Sequence, residues 1–568
     1  MAFGILEPKD ISNPPDVLGT AALEETQTTE SDVFSKHAPG RPDLILVPTP
    51  SDDPLDPLNW SRFRKEAAYA VLLLGTCLAG TCGPLVAPAF VEMSQQLGRP
   101  LSQIATGLNG EASCPQHAVA SQVDDVLLRS TGSLVLAIGI GSCIFAPIQT
   151  KWGTRPSFLI AAVVAFVSQI WAGASGTNFP SLCAARVLQG LGMGCWFNGA
   201  PSAIAAITFV HERGLRIALW NLGLVGGINL GPVISAQICQ RQGWHFAFWW
   251  QSLAAGLVLL GTVILVPEMD YDRSYYYAEL ERRREMLTSG SGSPSEDKFV
   301  PEQKEVVLGK VITAPQDVER GSSSRWTQYR FSTGSKTDVS FVALFLRPFY
   351  YFISPTIIWS ALTFSVCFNL LPLAATVYAQ VFGAPPYNLS VGGIGLVGGI
   401  PPLIGTLIGT FATGPLSDAS AKFLSKRNNG IYEPEFRLLP MMLFLVFGGM
   451  GFYGWGMQTS SSWIVPAIFI AILHIGVSAA TISCISYVTD SLRDGAADGL
   501  GLVVLIKSAI GFGITFIINN WYAARGSRQF FVSLGSLVVA TSGLAIPAWI
   551  FGKKARHWFS QHNLLVFP

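Results

Sequence analysis

Charge is what this chain has least of. Lys, Arg, Asp and Glu make up 13% of its 568 residues, against about a quarter in an ordinary soluble chain. So few charges do not make the surface of a water-soluble globule of this length. The net charge is +1, so no basic or acidic excess points to nucleic acid, and none is expected as a partner. The 9 cysteines form no C-x-x-C pair. They are read as free thiols filling space between apolar elements, with no disulfide framework and no metal site expected. A nucleophile elbow and a phosphate loop are also missing, so an enzyme is not expected. Met1–Trp60 is polar and rich in Pro, Asp and Glu, which is not the composition of a cleavable signal peptide.

What is present is apolar. Hydrophobic residues are 50% of the chain and the mean hydropathy is +0.41. They fall in blocks of roughly 20, the length that crosses about 30 Å of hydrocarbon at 1.5 Å per residue. The blocks predict helices 1 to 6 near Ala67–Phe90, Ser133–Thr150, Ser157–Ala174, Leu182–Phe209, Ile217–Cys239 and Phe246–Val266. Helices 7 to 12 follow near Tyr351–Val381, Val391–Thr413, Leu438–Met457, Trp463–Val488, Leu500–Tyr522 and Phe530–Phe551. The expected fold is an all-α multi-pass membrane protein. A disordered tail (1–60) precedes one six-helix half (61–266), and a polar linker (267–347) joins it to the second half (348–552) and a short tail (553–568).

An even number of spans places both termini on one side. Arg62, Arg64 and Lys65, then Lys151 and Arg155, then Lys422, Lys426 and Arg427, then Lys553, Lys554 and Arg556 all fall on that side. By the positive-inside rule it is cytoplasmic. APIQTKWGTRP after helix 2 echoes GPLSDASAKFLSKR after helix 8, which suggests two related halves moving about a shared centre.

Three motifs carry chemistry. LCAARVLQGLGMG (Leu182–Gly194) puts Arg186 and Gln189 inside helix 4, followed by Gly190. An intramembrane arginine faces a cavity or a partner, unless it snorkels to the interface from the helix end. The R-x-x-Q-G-x-G pattern favours a functional role. GLVGGINLGPVISA (Gly223–Ala236) places Gly227, Gly231 and Pro232 in helix 5, either for close helix packing or as a bending point. In GPLSDASAKFLSKRNNGIYEPEFRLLP, Asp418 sits among basic residues, placed either to latch the cytoplasmic side or as a solvated loop carboxylate.

DPLNWSRFRKE, ARVLQGLG, GINLGPVIS, GWHFAFWW, APPYNLSVGGIGL and RNNGIYEPEFRL together resemble fungal major facilitator transporters, over about Asp56 to Gly552. The similarity is to the drug:proton antiporter branch with twelve helices, its polyamine-transporter-like members included. The resemblance implies the major facilitator fold and alternating access powered by a proton gradient, with no other cofactor. It also implies a monomer whose partners are a small-molecule substrate, protons and the lipid bilayer. Arg186 would match the family's proton-coupling arginine, and Gly227, Gly231 and Pro232 its antiporter motif. After helix 2 the match is poorer: Thr150 and Thr154 replace the usual Asp and Arg, leaving Lys151, Gly153 and Arg155.

Polar and aromatic residues near the middle of the cavity-lining helices are the candidate substrate contacts: Thr81, Trp196, Asn198, Trp359, Asn369, Ser478 and Lys507. Lys507 alternatively snorkels. His474 is a candidate proton carrier because imidazole titrates near neutral pH, although a lone histidine in an apolar helix is more often a packing residue. No acidic residue falls clearly mid-membrane, apart from Glu92 near the outer mouth, which argues against a cationic substrate.

Glu111–Gly132 interrupts the chain just before helix 2. Its removal joins SQIATGLNG directly to SLVLAIGIG, and its edges suit codons with splice signals, so it is read as a retained intron; a true extracellular loop is the rival. The expected function is proton-coupled export of a small organic molecule, with the plasma membrane expected ahead of the vacuole. Import of a polyamine or other organic cation, and a non-transporting membrane sensor or inactive relic, are the alternatives.

Overall fold

A computed structural model describes residues 4–7, 17, 19–22, 37–38, 41–86, 130–176, 178–271, 273, 276, 328–332, 334–383, 385–458, 462–492, 495–515 and 518–561. The N-terminal half contains α1 (Arg62–Cys82), α2 (Ser130–Trp152), α3 (Thr154–Ala174), α4 (Phe179–Ile207), α5 (Val210–Gln242) and α6 (Trp244–Leu265). The second half contains α7 (Pro355–Phe382), α8 (Val391–Arg427), α9 (Pro434–Met457), α10 (Ile464–Leu492), α11 (Ala496–Thr515) and α12 (Ile518–Gly543), the last continued by a helix over Ala545–Gln561. Each predicted block has a helical counterpart. Hydrocarbon offers no hydrogen bonds, so the backbone of these apolar runs satisfies itself by coiling. Side chains of Ser61, Asn178 and Ser390 accept from amides three residues on and fix the starts of α1, α4 and α8.

Among the described residues nine helices are long and apolar enough to cross a membrane by themselves. α7 makes a tenth when joined to the short helix Phe341–Tyr350 and the turn after it, across a bend of 88°. α1 and α4 are not among them. α1 opens on the charged run RFRKE, and α4 carries Arg186, Gln189 and Asn198. α12 is broken within its own length at Gly526, whose φ of 71° and ψ of 168° are not helical.

The seam between the halves is α2 against α11 and α5 against α8. Gly139 lies against Ser508 and Leu505, and Gly399 against Val233 and the Asn229 carbonyl. The start of α5, the C-terminal parts of α8 and α10, and the Ala545–Gln561 helix share one face, linked by the hydrogen bonds below, and α1 joins it through Glu66, which pairs with Arg216 of α5. This shared side is termed the terminal face.

The expected disordered tail has partners at several of its described residues. Ile5 is buried against Val210, Ala421, Leu424, Tyr432 and Phe436, and Ala21–Ala22 pairs antiparallel with Ile431–Tyr432. Asp56 caps the turn Pro57–Asn59 and binds Arg273 of the linker at 2.7 Å. Burial opposes charge on Asp56, but Arg273 and the amides of Leu58 and Ser51 outweigh it and hold the carboxyl below its ordinary range. Of the linker, 277–327 lie outside the described residues, as do Glu92, Arg99 and 111–129 of the suspected insertion. α2 begins at Ser130 and runs 23 residues with that insertion in the chain, so a short helix 2 is no reason to remove it.

Candidate functional site

Three polar clusters break the apolar interior. The first surrounds the end of α1, away from the terminal face. Arg186 is fully buried, so it does not snorkel. Its Nη1 donates to the Cys82 carbonyl and to Gln189 Oε1, each at 2.8 Å, and its Nη2 donates to the Gly83 carbonyl at 3.2 Å. These carbonyls close α1, where orphaned oxygens and the helix dipole both favour a cation. Two glutamines that the sequence did not single out complete the cluster. Gln169 donates to Cys82 Sγ, and Gln251 donates to Cys82 Sγ and to Thr81 Oγ1. α1, α3, α4 and α6 are thus tied at one point.

The glycines near this cluster set helix spacing. A Cβ on Gly190 would meet the Leu134 carbonyl oxygen at 2.5 Å, and one on Gly227 the Cys77 carbonyl oxygen at 2.4 Å. Gly231 lies against Thr81 and Pro232 lies inside α5. The backbones of α1 and α5 meet at Gly227. Gly227→Ala is therefore expected to lose about 1–3 kcal/mol to overpacking, seen as a lower unfolding midpoint in detergent. An unchanged midpoint would show that the close approach is not needed.

The second cluster is the terminal face. Asp418, at the end of α8, accepts from the Gly214 and Leu215 amides of α5 at 2.8 and 2.9 Å. Arg213 pairs with Asp490 at 2.5 Å. Arg437 bridges Asp418 (2.7 Å) and Asp490 (2.9 Å) and donates to the Val210 carbonyl at 2.7 Å. Each of the three contacts to Gly214 and Leu215, to Arg213 and to Val210 crosses from one half to the other. A second knot lies beside it: Arg556 and Lys553 pair with Glu433, Arg556 also pairs with Glu435, and Thr20 donates to Glu433. Of these residues, the sequence alone suggested a latch only for Asp418, with Lys553 and Arg556 read as basic residues that set the topology.

The matching turn after α2 does not cross. Gly153, at φ 99°, lets the Glu268 carboxylate sit against the start of α3, where it accepts from Thr154 N and Oγ1 and from Arg155 N. Arg155 donates to the Thr262, Val263 and Val266 carbonyls that end α6. Lys151 donates to the Val339 carbonyl, while Thr150, in the position of the expected carboxylate, bonds the Ala146 carbonyl of its own helix. The latch is one-sided.

The third cluster is central. Lys507 lies eleven residues into α11, ~16 Å from its start at 1.5 Å per residue. Its Nζ stands 4.6 Å from the Phe197 ring centroid on α4 and 4.4 Å from that of Phe368 on α7. Asn369 donates to the Lys507 carbonyl at 3.0 Å. Asn198, next to Phe197, donates to the Ser142 carbonyl on α2 at 2.9 Å. Other candidates lie elsewhere. Trp196 packs between Gly75 and Phe158, and Trp359 meets Tyr487 edge-on. His474 and Ser478 face Gly405 and Gly409 of α8, within the second half. The His474 Nδ1 contacts the Ile470 carbonyl of its own helix at 2.8 Å.

The comparisons with known proteins fit this geometry. The sequence pattern described as Major Facilitator Superfamily matches residues 72–514. Protein HOL1 of Saccharomyces cerevisiae is 21% identical, with 97% of each chain covered. MFS transporter cpaT of Aspergillus oryzae is 27% identical, over 89% of this chain and 90% of its own. Efflux pump radE of Floropilus chiversii is 24% identical, over 89% and 83%. Among solved structures, the proton:xylose symporter XylE shares the fold, with a TM-score of 0.53, 14% identity and coverage of 86% and 96%. With more than three quarters of its length matched, this chain belongs to the Major Facilitator Superfamily.

Proposed function

We propose that this membrane transporter is a proton-coupled exporter that carries a small amphipathic organic molecule outward by alternating access, with the terminal face cytoplasmic. The latch carries the reading. Asp418, Arg437, Asp490 and Arg213 join the halves on one face through buried, charge-assisted contacts. Such contacts are strong where they form and costly where half-broken, which suits a seam with a closed and an open state. The basic loops on this face support the cytoplasmic side. His474 and Lys507 are buried basic side chains near the middle of the described spans that can gain or lose one proton. Arg186 stays charged and holds the end of α1.

Import of a cation is less well supported. The buried carboxylates among the described residues are Asp56, Glu268, Asp418, Glu433, Glu435, Asp490 and Asp498. Each lies at a helix end or in the flanking segments, so none faces the centre.

The test is flux in inverted vesicles holding the full chain, with a panel of labelled amphipathic compounds. Inward movement driven by an acid interior, and abolished by a protonophore, is the expected result. Movement that ignores the pH gradient would remove proton coupling, and outward movement would reverse the direction.

A further inference from the structure

Most buried cations in this structure have a partner that explains them. Arg213, Arg437, Lys553 and Arg556 pair with carboxylates. Arg155 and Arg186 bind the carbonyls of helix ends. Lys507 is the exception: among the described residues its Nζ makes no ion pair and no hydrogen bond, and the side chain is buried. Two ring faces are what it has, one from each half, and the Phe197 and Phe368 centroids are 6.0 Å apart.

An ammonium in that position has lost its hydration. Aromatic faces return part of the loss through their quadrupoles. An anion would return far more, because opposite charges attract most strongly where water is excluded. The surroundings also limit the kind of anion. Phe364 lies beside Phe368 with centroids 5.5 Å apart and rings tilted by 32°, and the pair extends an apolar wall from the ammonium along α7. At the other side the Asn369 amide fills the space that Gly511 leaves, where a Cβ would come within 2.6 Å of Asn369 Oδ1. A ligand that fits has one anionic head and a planar or apolar body.

We propose that Lys507 recognises the head group of an amphipathic organic acid, whose apolar body lies against Phe197, Phe364 and Phe368. This rests on the reading of the chain as a transporter with its substrate site between the halves. The rings over Lys507 come from α4 and α7, one in each half. When an anion takes the ammonium, the contact that joins the rings through Lys507 weakens. Binding therefore bears directly on whether the halves separate at this level.

The test is equilibrium binding to the purified full chain in detergent at one fixed pH, with no gradient. The probes are 1-naphthaleneacetate, its neutral amide and 1-naphthylmethylamine. The acid is expected to bind at least about tenfold more tightly than the amide or the amine, as loss of one charge-assisted contact implies. Lys507→Gln should bring the acid down to the level of the amide, whereas Lys507→Arg should keep most of the preference. An unfolding midpoint for Lys507→Gln no lower than that of the unsubstituted chain shows that the loss is not misfolding. Equal binding of acid and amide, no binding of the acid, or acid binding that survives Lys507→Gln would each overturn the assignment. Acid binding through Lys507 without proton-driven flux would defeat the exporter reading and leave this one standing. Proton-driven flux of the neutral amide, unchanged in Lys507→Gln, would do the reverse.

Discussion

Arg437→Ala is expected to unlock the terminal face. The guanidinium is completely buried and donates to Asp418, Asp490, Ser417, Tyr432 and the Val210 carbonyl. Its removal leaves Asp490 with Arg213 and Tyr432, and Asp418 with the two α5 amides. Two buried carboxylates then share less positive charge than they need. Removing one partner of a buried ion pair costs about 3–5 kcal/mol. Where that cost falls on the closed state alone, it shifts the opening equilibrium by at least on the order of 100-fold. The readout is maleimide labelling of Val210→Cys, a buried position in the first turn of α5 beneath the latch. Labelling should speed up by that factor in the Arg437→Ala background. Arg437→Lys keeps the charge but not the fork, so it should fall between the two. Adding Asp418→Asn to Arg437→Ala should recover part of the stability, because Asp418 is the carboxylate left without a cation, whereas Asp490 keeps Arg213. Unchanged labelling and an unchanged melting midpoint would mean that the network is a passive weld.

The helices were legible in the sequence because hydrocarbon thickness imposes a length, and every block met it. Their ends were less so. Helix 8 was expected to stop at Thr413, but α8 runs to Arg427. Hydropathy detects where a helix leaves the membrane, and SDASAKFLSKR leaves it while remaining a good helix former. α5 likewise starts at Val210 and not near Ile217, carrying HERG into the latch.

The clusters were legible where a residue was out of place in its own segment. Arg186, Asp418 and Lys507 stand out as charges in or beside apolar runs. Their partners do not. Arg213 and Asp490 are separated by 277 positions, and each reads locally as an ordinary loop charge at a helix end. Phe197 and Phe368 are two of 35 phenylalanines, and no local pattern marks them as the pair that meets Lys507. Gln169 and Gln251 were missed although each is a buried amide in an apolar helix. A search for every uncharged hydrogen-bonding side chain inside the spans would have found both. His474 stands out by its chemistry alone, and the structure places it against Gly405, between α8 and α10.

The same distinction between chemistry and packing governs the largest loss expected here, that of Arg186→Ala. Arg186 donates from a charged group to the last carbonyls of α1 and to Gln189. Truncation strands the Cys82 and Gly83 oxygens in a dry interior and frees Gln189, at about 1–3 kcal/mol for each orphaned group. The end of α1 is where α3, α4 and α6 converge through Gln169, Gln189 and Gln251, so a loosened α1 is felt by four helices at once. Transport per molecule of protein in the membrane is expected to fall by on the order of 100-fold, the equivalent of two such groups. Arg186→Lys keeps one point donor and should retain a measurable fraction. Two readings of Arg186 then separate. If it only caps α1, Arg186→Ala lowers the amount of folded protein, and flux per folded molecule stays near that of the unsubstituted chain. If the charge itself acts in the transport cycle, flux per folded molecule collapses and Lys restores part of it. Arg186 Nε has no hydrogen-bond partner among the described residues, but neither has Arg213 Nε in the latch, so it is flux per folded molecule, with Lys as the comparison, that separates a cap from a working charge.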